Sequence, residues 1–444
     1  MTPRATGRRR RPDPARELAF DVLRDVHADD AYANLALGQR LASAGLDARD
    51  AAFATELVAG TCRGEGTYDA VLTAASGRDL DRLDPMVVDV LRLGAHQLLA
   101  MRVPAHAAVA ASVDLAAAVV GERVTGLVNA VLRRAAARDL NGWIESLSKG
   151  LDAPDVLALR TSHPRWIVDA YADSLPSDEL EPALAANNIT PRTCLVVRPG
   201  LAQVDELPGE PTPYSPYGAV LAGNPAGVPA VRAGRAGVQD EGSQLVALAL
   251  ARVADADGPW LDLCAGPGGK TALLTGLARA GGTWLLANEV QPHRAVLVAR
   301  ALRAYPGRPN VVCADGTRAA WRPGAFAAVL ADVPCTGLGA LRRRPESRWR
   351  RHADDLADLR PLQLGLLNAA LDAVRPGGVV GYVTCSPHRA ETAEIVAAVA
   401  DRVDVLAAAA ALPEVPDCAV GDFVQLWPHR HGTDAMFLAL LRRR

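Results

Sequence analysis

Two cysteines in the C-terminal half of the chain stand where side chains can do chemistry. Cys335 follows Asp332-Val-Pro, and Cys385 lies between Thr384 and Ser386. A lone cysteine is usually a small core side chain, but each of these two follows a run of apolar residues that predicts a strand. If the two strands are neighbours, about 4.8 Å apart, both thiols face one pocket. Hydride transfer has no need of two such thiols, whereas methylation of a pyrimidine carbon does.

A glycine-rich loop precedes them in residues 260–271, Trp-Leu-Asp-Leu-Cys-Ala-Gly-Pro-Gly-Gly-Lys-Thr. An apolar strand ends there in a carboxylate, and residues 272–280 follow with helical spacing. Glycine lets the backbone turn sharply and lets a ligand approach the main chain. The spacing does not fit a P-loop, which has four residues between its first glycine and its Gly-Lys pair, because this loop has two. The dinucleotide-binding pattern is also broken, since Lys270 and Thr271 stand where its third glycine belongs.

Carboxylates follow four successive predicted strands, at Asp262, Glu289, Asp315 and Asp332. One such acid is usually a helix cap, but four together outline the site of a nucleoside-bearing cofactor. Glu289 lies about twenty residues past the glycines, where an acid accepts hydrogen bonds from ribose hydroxyls. Nicotinamide and S-adenosylmethionine cofactors both satisfy these observations. The predicted cofactor-binding residues are Cys264, Ala265, Gly266, Pro267, Gly268, Gly269, Lys270, Glu289, Asp315 and Asp332.

The chain has 444 residues, enough for about three domains of ~150 residues. Its patterns predict a disordered basic arm (1–15), an all-α region (16–140), a small α+β connector (141–235) and an α/β domain (236–444). Strands and helices alternate in the α/β domain, which predicts a mostly parallel sheet covered on both faces. Ligands of such sheets bind beyond the carboxyl ends of the strands, where the strand order reverses. The predicted strands are 193–198 in the connector and 259–263, 283–288, 310–314, 326–331, 378–384 and 435–441 in the α/β domain.

Helical periodicity without strand-like alternation is the basis of the all-α prediction. Leu18, Val22 and Val26 recur on one helix face. Asp84-Pro85 supplies the capping acid and the first-position proline that often begin a helix. We therefore expect a bundle of six or seven helices.

Composition excludes several classes of protein. The formal net charge of −2 neither requires nor excludes a polyanionic partner, and the arginine-rich arm is either a nucleic-acid contact or a solvated tail. No run of about 18 apolar residues could span a membrane, and the N-terminus lacks the apolar stretch of a signal peptide. Seven cysteines, none in a C-x-x-C pair, are typical of reduced thiols and argue against zinc. We expect a cytoplasmic monomer without a metal.

Several motifs resemble those of the RNA 5-methylcytosine methyltransferases of the NOL1/NOP2/Sun group. They are residues 262–270, Asp332-Val-Pro-Cys335 and Thr384-Cys385-Ser386, with Gln239-Asp-Glu-Gly-Ser-Gln244 similar to the motif that precedes the fold in that family. The resemblance implies a Rossmann-like class I methyltransferase fold. It also implies S-adenosylmethionine as the cofactor.

The N-terminal region is similar to the NusB antitermination factor, in runs such as residues 56–63 and 126–134. A NusB-like RNA-binding domain fused to this methyltransferase is typical of the Sun/Fmu type, which modifies a cytosine in bacterial small-subunit rRNA. The resemblance covers nearly the whole chain past the arm and is most specific in residues 239–271 and 330–387. It implies 16S rRNA as the partner.

The resemblance also implies a role for each candidate catalytic residue. Carbon 5 of cytosine is a poor nucleophile, and a thiolate that adds to carbon 6 converts the ring to an enamine that can attack a methyl group. Cys385 is implied to be that nucleophile and Cys335 to help release the product, whereas DNA cytosine methyltransferases use the Pro-Cys thiol as the nucleophile. Asp332 is expected to hydrogen-bond the cytosine edge. Lys270 has three open interpretations: contact with the base, contact with the cofactor carboxylate, or capping of the loop.

A few residues depart from the pattern of that family. Gly266 replaces a common alanine and Glu289 stands where aspartate is commoner; we expect both to be tolerated, with Arg294 supporting Glu289. Glu391 comes one residue later than the family spacing predicts and is left off the site. Basic residues around Trp349 suit phosphate contact and base stacking, or else form a solvated loop. They are Arg342, Arg343, Arg344, Arg348, Arg350 and Arg351.

Three functions remain open on the sequence. The first is a methyltransferase that makes 5-methylcytosine in 16S rRNA. The second keeps the chemistry and changes the substrate to tRNA or to another rRNA site. The third is a non-catalytic RNA-binding or ribosome-assembly factor, although both thiols, the glycines and Asp332 are present. An NAD-dependent oxidoreductase is disfavoured by the missing third glycine and by the paired thiols.

Overall fold

The computed structural model describes residues 12–255 and 257–444, which form two compact units. Unit 1 contains the chain up to Asp169 together with Arg343–Arg350, and unit 2 contains Ala170–Arg342 and Arg351–Arg444. Residues 1–11, which make up most of the predicted basic arm (1–15), lie outside the described residues. No helix in the described part of the chain is long and apolar enough to cross a membrane.

Helices make up the regular structure of unit 1 in its described residues. In chain order they are α1 (Pro14–Ala28), α2 (Ala33–Ala44), α3 (Ala48–Ser76), α4 (Pro85–Leu99), α5 (Ala105–Val119), α6 (Thr125–Ala135), α7 (Leu140–Leu147), α8 (Ala153–Thr161) and the start of α9 (Arg165–Ala172). The predicted face of Leu18, Val22 and Val26 is buried in one apolar core. Asp84 caps α4 by accepting a hydrogen bond from the Met86 amide at 2.8 Å. The prediction of an all-α bundle is therefore confirmed.

The first sheet of unit 2 is small and antiparallel. Its strands are β1 (Thr193–Val197), β2 (Glu210–Pro211), β3 (Gly218–Leu221) and β4 (Ala236–Val238), in the order β2-β3-β1-β4. The strand β1 confirms the prediction for residues 193–198. Leu195, Val197 and Ala219 lie in the apolar core beneath this sheet. The helices α10 (Ser177–Ala186) and α11 (Pro229–Arg232) belong to the same part of the chain.

The second sheet of unit 2 has nine strands. Its strands are β5 (Trp260–Asp262), β6 (Leu285–Asn288), β7 (Val311–Val312), β8 (Phe326–Asp332), β9 (Val374–Thr384), β10 (Val403–Leu406), β11 (Ala419–Val420), β12 (Phe423–Gln425) and β13 (Phe437–Arg443). The order is β11-β12-β13-β9-β8-β5-β6-β7, with β10 paired to β13. The strands from β9 to β7 in that order are parallel, and β13 is antiparallel to β9. All six strands predicted for this domain are present, which confirms the Rossmann-like α/β fold.

Helices cover both faces of this sheet: α12 (Glu241–Val253), α13 (Gly269–Ala280) and α14 (Pro292–Ala301) contribute to the core on one face, and α16 (Leu356–Ala373) and α17 (Ala393–Ala397) to the core on the other. The short helix α18 (Pro428–His431) precedes β13, and α15 (Ser347–Arg350) belongs to unit 1. Along β8, Ala328 and Leu330 join the core on one face, whereas Val329 and Ala331 join the core on the other. This alternation is what a buried strand with side chains on both faces requires.

The strand order places the site. Strand β5 pairs with β6 on one side and with β8 on the other, so the order of the strands reverses between β5 and β8. In open α/β sheets the ligand binds beyond the carboxyl ends of the strands at that reversal. The carboxyl end of β5 carries Asp262, and the carboxyl end of β8 carries Asp332.

Candidate active site

The two candidate thiols lie side by side at this edge of the sheet. Asp332 on β8 is paired in register with Val383 on β9, so the segments that follow the two strands leave the sheet together. The sulfur atoms of Cys335 and Cys385 are 3.4 Å apart, and both residues are half-buried. The Gly339 amide donates a hydrogen bond to the Cys385 carbonyl oxygen at 2.8 Å, which fastens the loop after Cys335 onto the other thiol segment.

The pKa values of the two thiols are shifted in opposite directions. A hydrogen bond from the Cys335 thiol lowers the pKa of Cys385, and the Lys270 ammonium acts in the same direction against burial and the Asp332 carboxylate. The same hydrogen bond, together with burial, raises the pKa of Cys335 well above its ordinary value. The arrangement therefore favours a thiolate on Cys385 and a neutral thiol on Cys335. Only the thiolate form of a cysteine is strongly nucleophilic.

An ion pair links the first turn of α13 to the end of β8. Lys270, in the first turn of α13, donates from Nζ to Asp332 Oδ2 at 2.9 Å. Burial opposes the charge on Lys270, but the Asp332 carboxylate outweighs it and raises the pKa of Lys270. Lys270 thus holds Asp332 in place beside the two thiols.

Asp262, at the end of β5, is a second buried acid at this edge of the sheet. Burial raises the pKa of Asp262 to about 7, although the Thr271 hydroxyl donates to its Oδ2 at 2.7 Å.

The glycine loop is held by the acid that follows β6. Glu289 is buried, and its Oε2 accepts a hydrogen bond from the Gly266 amide at 2.9 Å. Arg294 donates from Nη2 to the Gly266 carbonyl oxygen at 2.6 Å, and its Nε lies 3.8 Å from Glu289 Oε2. Gly268 has a φ of +109°, and a Cβ there would lie 2.8 Å from the Ala301 Cβ. Gly268 is therefore required both by its backbone conformation and by the close approach of neighbouring atoms.

We predict that Gly266→Ala and Glu289→Asp partly compensate for each other. A Cβ at Gly266 would lie 2.2 Å from Glu289 Oε2 and would push that carboxylate off the Gly266 amide. Losing a hydrogen bond to a charged group costs about 1.5–3 kcal/mol, whereas the shorter aspartate leaves room for the methyl group. Denaturant titration of both single variants and the double variant measures the coupling. Additive changes in the free energy of unfolding would contradict the prediction.

The other predicted cofactor-loop residues have different surroundings. Cys264 is half-buried, and burial raises the pKa of its thiol well above the ordinary value, so it stays neutral. The Ala265 amide donates to the Asn288 carbonyl oxygen at 2.8 Å, which ties the loop to β6. Pro267 is exposed. Asp315 is also exposed, and its Oδ1 accepts from both the amide and the hydroxyl of Thr317, so its observed partners are local.

One buried carboxylate beside Cys335 was left off the sequence-predicted site. Glu391 is fully buried; its Oε1 accepts from the Thr336 amide at 2.8 Å and its Oε2 from the Thr336 hydroxyl at 2.5 Å. Gln363 donates to the same carboxylate at 2.9 Å. Because Thr336 directly follows Cys335, these bonds fix the segment that carries the thiol. No local sequence signal pairs Glu391 with Thr336, which lies 55 residues away.

Two of the basic residues near Trp349 are buried and cannot contact RNA. Arg342 is buried and donates to Asp240 and Asp434, both at 2.9 Å. Arg348 is fully buried and donates to main-chain carbonyl oxygens within unit 1. The Trp349 indole also donates to a main-chain carbonyl oxygen there, at 3.2 Å. The predicted RNA contacts are wrong for Arg342 and Arg348, because both side chains are buried, whereas Trp349 is half-buried.

A lone cysteine is usually a small core side chain, but not all of the four remaining cysteines lie in the core. Cys62 and Cys418 are buried and Cys194 is half-buried. Cys313 is exposed instead. It directly follows β7, which is the edge strand of the sheet, so its surroundings are open to solvent.

Comparison with known proteins identifies both parts of the chain. The family model for NusB matches residues 13–137, and the model described as 16S rRNA methyltransferase RsmB/F matches residues 247–442. A putative methyltransferase of Mycobacterium tuberculosis is 50% identical over the whole length of both chains. Ribosomal RNA small subunit methyltransferase B of Xylella fastidiosa is 33% identical and covers 89% of this chain and 92% of its own length. The protein of the same name from Pseudomonas putida is also 33% identical, over 80% of this chain and 81% of its own.

Solved structures share the fold. The crystal structure of PH0851 has a TM-score of 0.78 at 21% identity and covers 97% of this chain and 99% of its own. The structure of NSun6 from Pyrococcus horikoshii has a TM-score of 0.53 at 15% identity, over 63% of this chain and 98% of its own. At such identities the likeness shows the fold alone. The sequence relatives go further, and with the NusB match they place this chain in the ribosomal RNA small subunit methyltransferase B (RsmB) family.

Proposed function

We propose that this enzyme uses S-adenosylmethionine to methylate carbon 5 of a cytosine in 16S rRNA, through a covalent adduct with Cys385. The observation that carries the proposal is the pair of thiols 3.4 Å apart at the ends of two neighbouring parallel strands. Methyl transfer to a nitrogen or an oxygen, which already has a lone pair, needs no thiol nucleophile. Methylation of an unactivated pyrimidine carbon does, because the ring must first be made electron-rich by addition at carbon 6.

The residues around the strand reversal fit this cofactor. Each Glu289 oxygen accepts one main-chain amide, from Gly266 or from Gln291, so lone pairs remain to accept ribose hydroxyls. Helix α13 begins at Gly269 after a glycine cap that has no side chain, and its first amides suit an anionic group. We assign the cofactor to these residues, to the loop 264–268 and to Asp315. When bound, S-adenosylmethionine supplies a methyl group on a sulfonium centre.

Cys385 makes carbon 5 reactive. Its thiolate adds to carbon 6 of the base, forming a sulfur–carbon bond, and the electron pair of the 5,6 double bond moves to carbon 5. Carbon 5 can then accept the methyl group. Water then takes the proton from carbon 5, the 5,6 double bond forms again and the Cys385 thiolate is expelled. The nearby Lys270 ammonium and the Cys335 thiol both favour the thiolate before the addition.

Asp332 and Cys335 act on the base and on its release. Asp332 faces the thiol pair and hydrogen-bonds the amidine edge of the cytosine, which becomes more basic as electrons move into the ring. Lys270 holds the Asp332 carboxylate by a hydrogen bond of 2.9 Å. The neutral Cys335 thiol lies 3.4 Å from the sulfur of the adduct, so it assists release of the product by donating a hydrogen bond to the Cys385 thiolate as that group leaves.

The substrate is proposed from the relatives and from the fold. Two relatives that are 33% identical are named ribosomal RNA small subunit methyltransferase B, and the NusB-like region (16–140) supplies RNA binding. A base inside a helical stack cannot reach a half-buried thiol, so the target cytosine is unpaired or flipped out. We place the reaction in the cytoplasm, where ribosomes are assembled.

Bisulfite sequencing tests the substrate and the product together. Total RNA from the native host is sequenced with and without this gene, because 5-methylcytosine resists bisulfite conversion. Loss of one protected cytosine in small-subunit rRNA is the expected result. Loss of protection in tRNA alone would keep the chemistry and contradict the substrate. Unchanged protection throughout would contradict the function.

A further inference from the structure

Gln239 is the exception in residues 239–244, whose other buried polar side chains are hydrogen-bonded. Its exposed fraction is 7%, and neither Oε1 nor Nε2 has a hydrogen-bond partner among the described residues. The other three polar side chains of residues 239–244 that are buried all have partners. Asp240 accepts from Arg342 and from main-chain amides, Glu241 accepts from the amides of Tyr214 and Ser215, and Gln244 accepts from the Ser215 hydroxyl.

The main chain holds this unpartnered amide in place. The Gln239 amide nitrogen donates to the Cys194 carbonyl oxygen at 3.0 Å, and the Gln239 carbonyl oxygen accepts from Gln244 Nε2 at 3.1 Å. These two hydrogen bonds fix the backbone at Gln239. Buried polar groups without partners cost free energy, so most are paired. A primary amide with two unpaired atoms is the kind of group that a ligand satisfies.

The Gln239 side chain lies against the N-terminus of α13. A Cβ built at Gly269 would be 3.6 Å from both Cδ and Oε1 of Gln239. Gly269 is the first residue of this helix of 12 residues, and its cap, Gly268, has no side chain. The first amides of a helix have no partner within the helix, and the helix dipole gives them a partial positive charge. An amide side chain and an anion-binding helix end therefore meet at one point.

We propose that Gln239 binds the amino-acid end of S-adenosylmethionine. Nε2 donates to the α-carboxylate, which it shares with the first amides of α13, and Oε1 accepts from the α-ammonium group. A primary amide presents a donor and an acceptor side by side, as this zwitterion requires. A neutral pyrimidine edge makes less use of a positive helix end, so the cofactor is the better match. The inference rests on the proposed function, because it needs the cofactor to bind at this loop.

The proposal is tested by the affinity of the Gln239→Leu variant for two compounds related to the cofactor. Leucine has a similar size and no polar atoms. Calorimetry measures the affinity for S-adenosylhomocysteine, which has the amino-acid end, and for 5′-methylthioadenosine, which lacks it. We expect affinity for S-adenosylhomocysteine to fall by more than about tenfold and affinity for methylthioadenosine to stay unchanged. Gln425→Leu is the matched control, since Gln425 is also buried but its Nε2 donates to Leu426.

Thermal unfolding separates a ligand-binding role from a structural one. Without ligand, Gln239→Leu is expected to unfold at the same or a higher temperature, because leucine needs no hydrogen-bond partners. A lower temperature would indicate a structural role and overturn the proposal. So would an unchanged affinity for S-adenosylhomocysteine, an equal loss for both fragments, or a loss confined to binding of unmethylated rRNA. If the unaltered protein bound neither fragment, the proposed function itself would be contradicted.

Discussion

Cys385→Ala abolishes methyl transfer, with an expected fall in rate of roughly 10⁴-fold or more, the scale seen when a catalytic nucleophile is removed. Without the sulfur, carbon 5 of the cytosine keeps its poor nucleophilicity and cannot accept the methyl group. Cofactor binding stays unchanged, because the glycine loop and Glu289 hold each other and not Cys385. The measurement is transfer of radiolabelled methyl groups to unmodified 16S rRNA, together with calorimetry of S-adenosylhomocysteine binding.

Cys313→Ala is the matched control for this variant. Cys313 lies in the same unit, and its side chain is exposed after an edge strand. Its removal is expected to leave both rate and binding unchanged. Substantial methylation by Cys385→Ala would show that another group attacks carbon 6, and the assignment of the nucleophile would be wrong.

Cys335→Ala is expected to accumulate a covalent complex between enzyme and RNA that survives denaturation. Cys385 can still add to the base, but the thiol that lies 3.4 Å from its sulfur and assists release is missing. Turnover falls while the adduct builds up. Denaturing gel electrophoresis of the variant with labelled RNA and S-adenosylmethionine detects the complex as a slow band, and protease digestion removes it.

The double variant gives the control for this second result. Cys335→Ala with Cys385→Ala has no nucleophile and is expected to form no adduct. A stable adduct with Cys385→Ala and none with Cys335→Ala would reverse the two roles. That outcome would make the Pro-Cys thiol the nucleophile, as in DNA cytosine methyltransferases.

The fold could be predicted where the pattern is local. Apolar runs that end in a carboxylate mark β5 and β8, because a central strand buries both faces and its polar residues follow its carboxyl end. The later strands β10, β11 and β12 were not predicted. They have four, two and three residues, too few to show an alternating pattern, and they are fixed by pairing with one another and with β13.

The candidate site could be predicted only in part, for a similar reason. Parallel neighbours bring Cys335 and Cys385 together, and that follows from strand order. The partners of Arg342 and Glu391 do not follow, because Asp434 and Thr336 lie 92 and 55 residues away from them. The burial of Arg348 could not be predicted from the neighbouring sequence either. Its segment, Arg343–Arg350, belongs to unit 1, although the residues on both sides of it belong to unit 2. Charge runs in a sequence do not show which charges a fold will bury.

Tritium at carbon 5 of cytosine tests the central claim most directly. The purified protein is incubated with S-adenosylmethionine and with small-subunit rRNA that was transcribed with [5-³H]cytidine triphosphate. The tritium released to water is compared with the number of methyl groups transferred. Methylation at carbon 5 through a Cys385 adduct predicts one tritium released for each methyl group gained, with neither event in Cys385→Ala. Methyl transfer without tritium release would place the methyl group elsewhere on the nucleotide and would contradict the proposed chemistry.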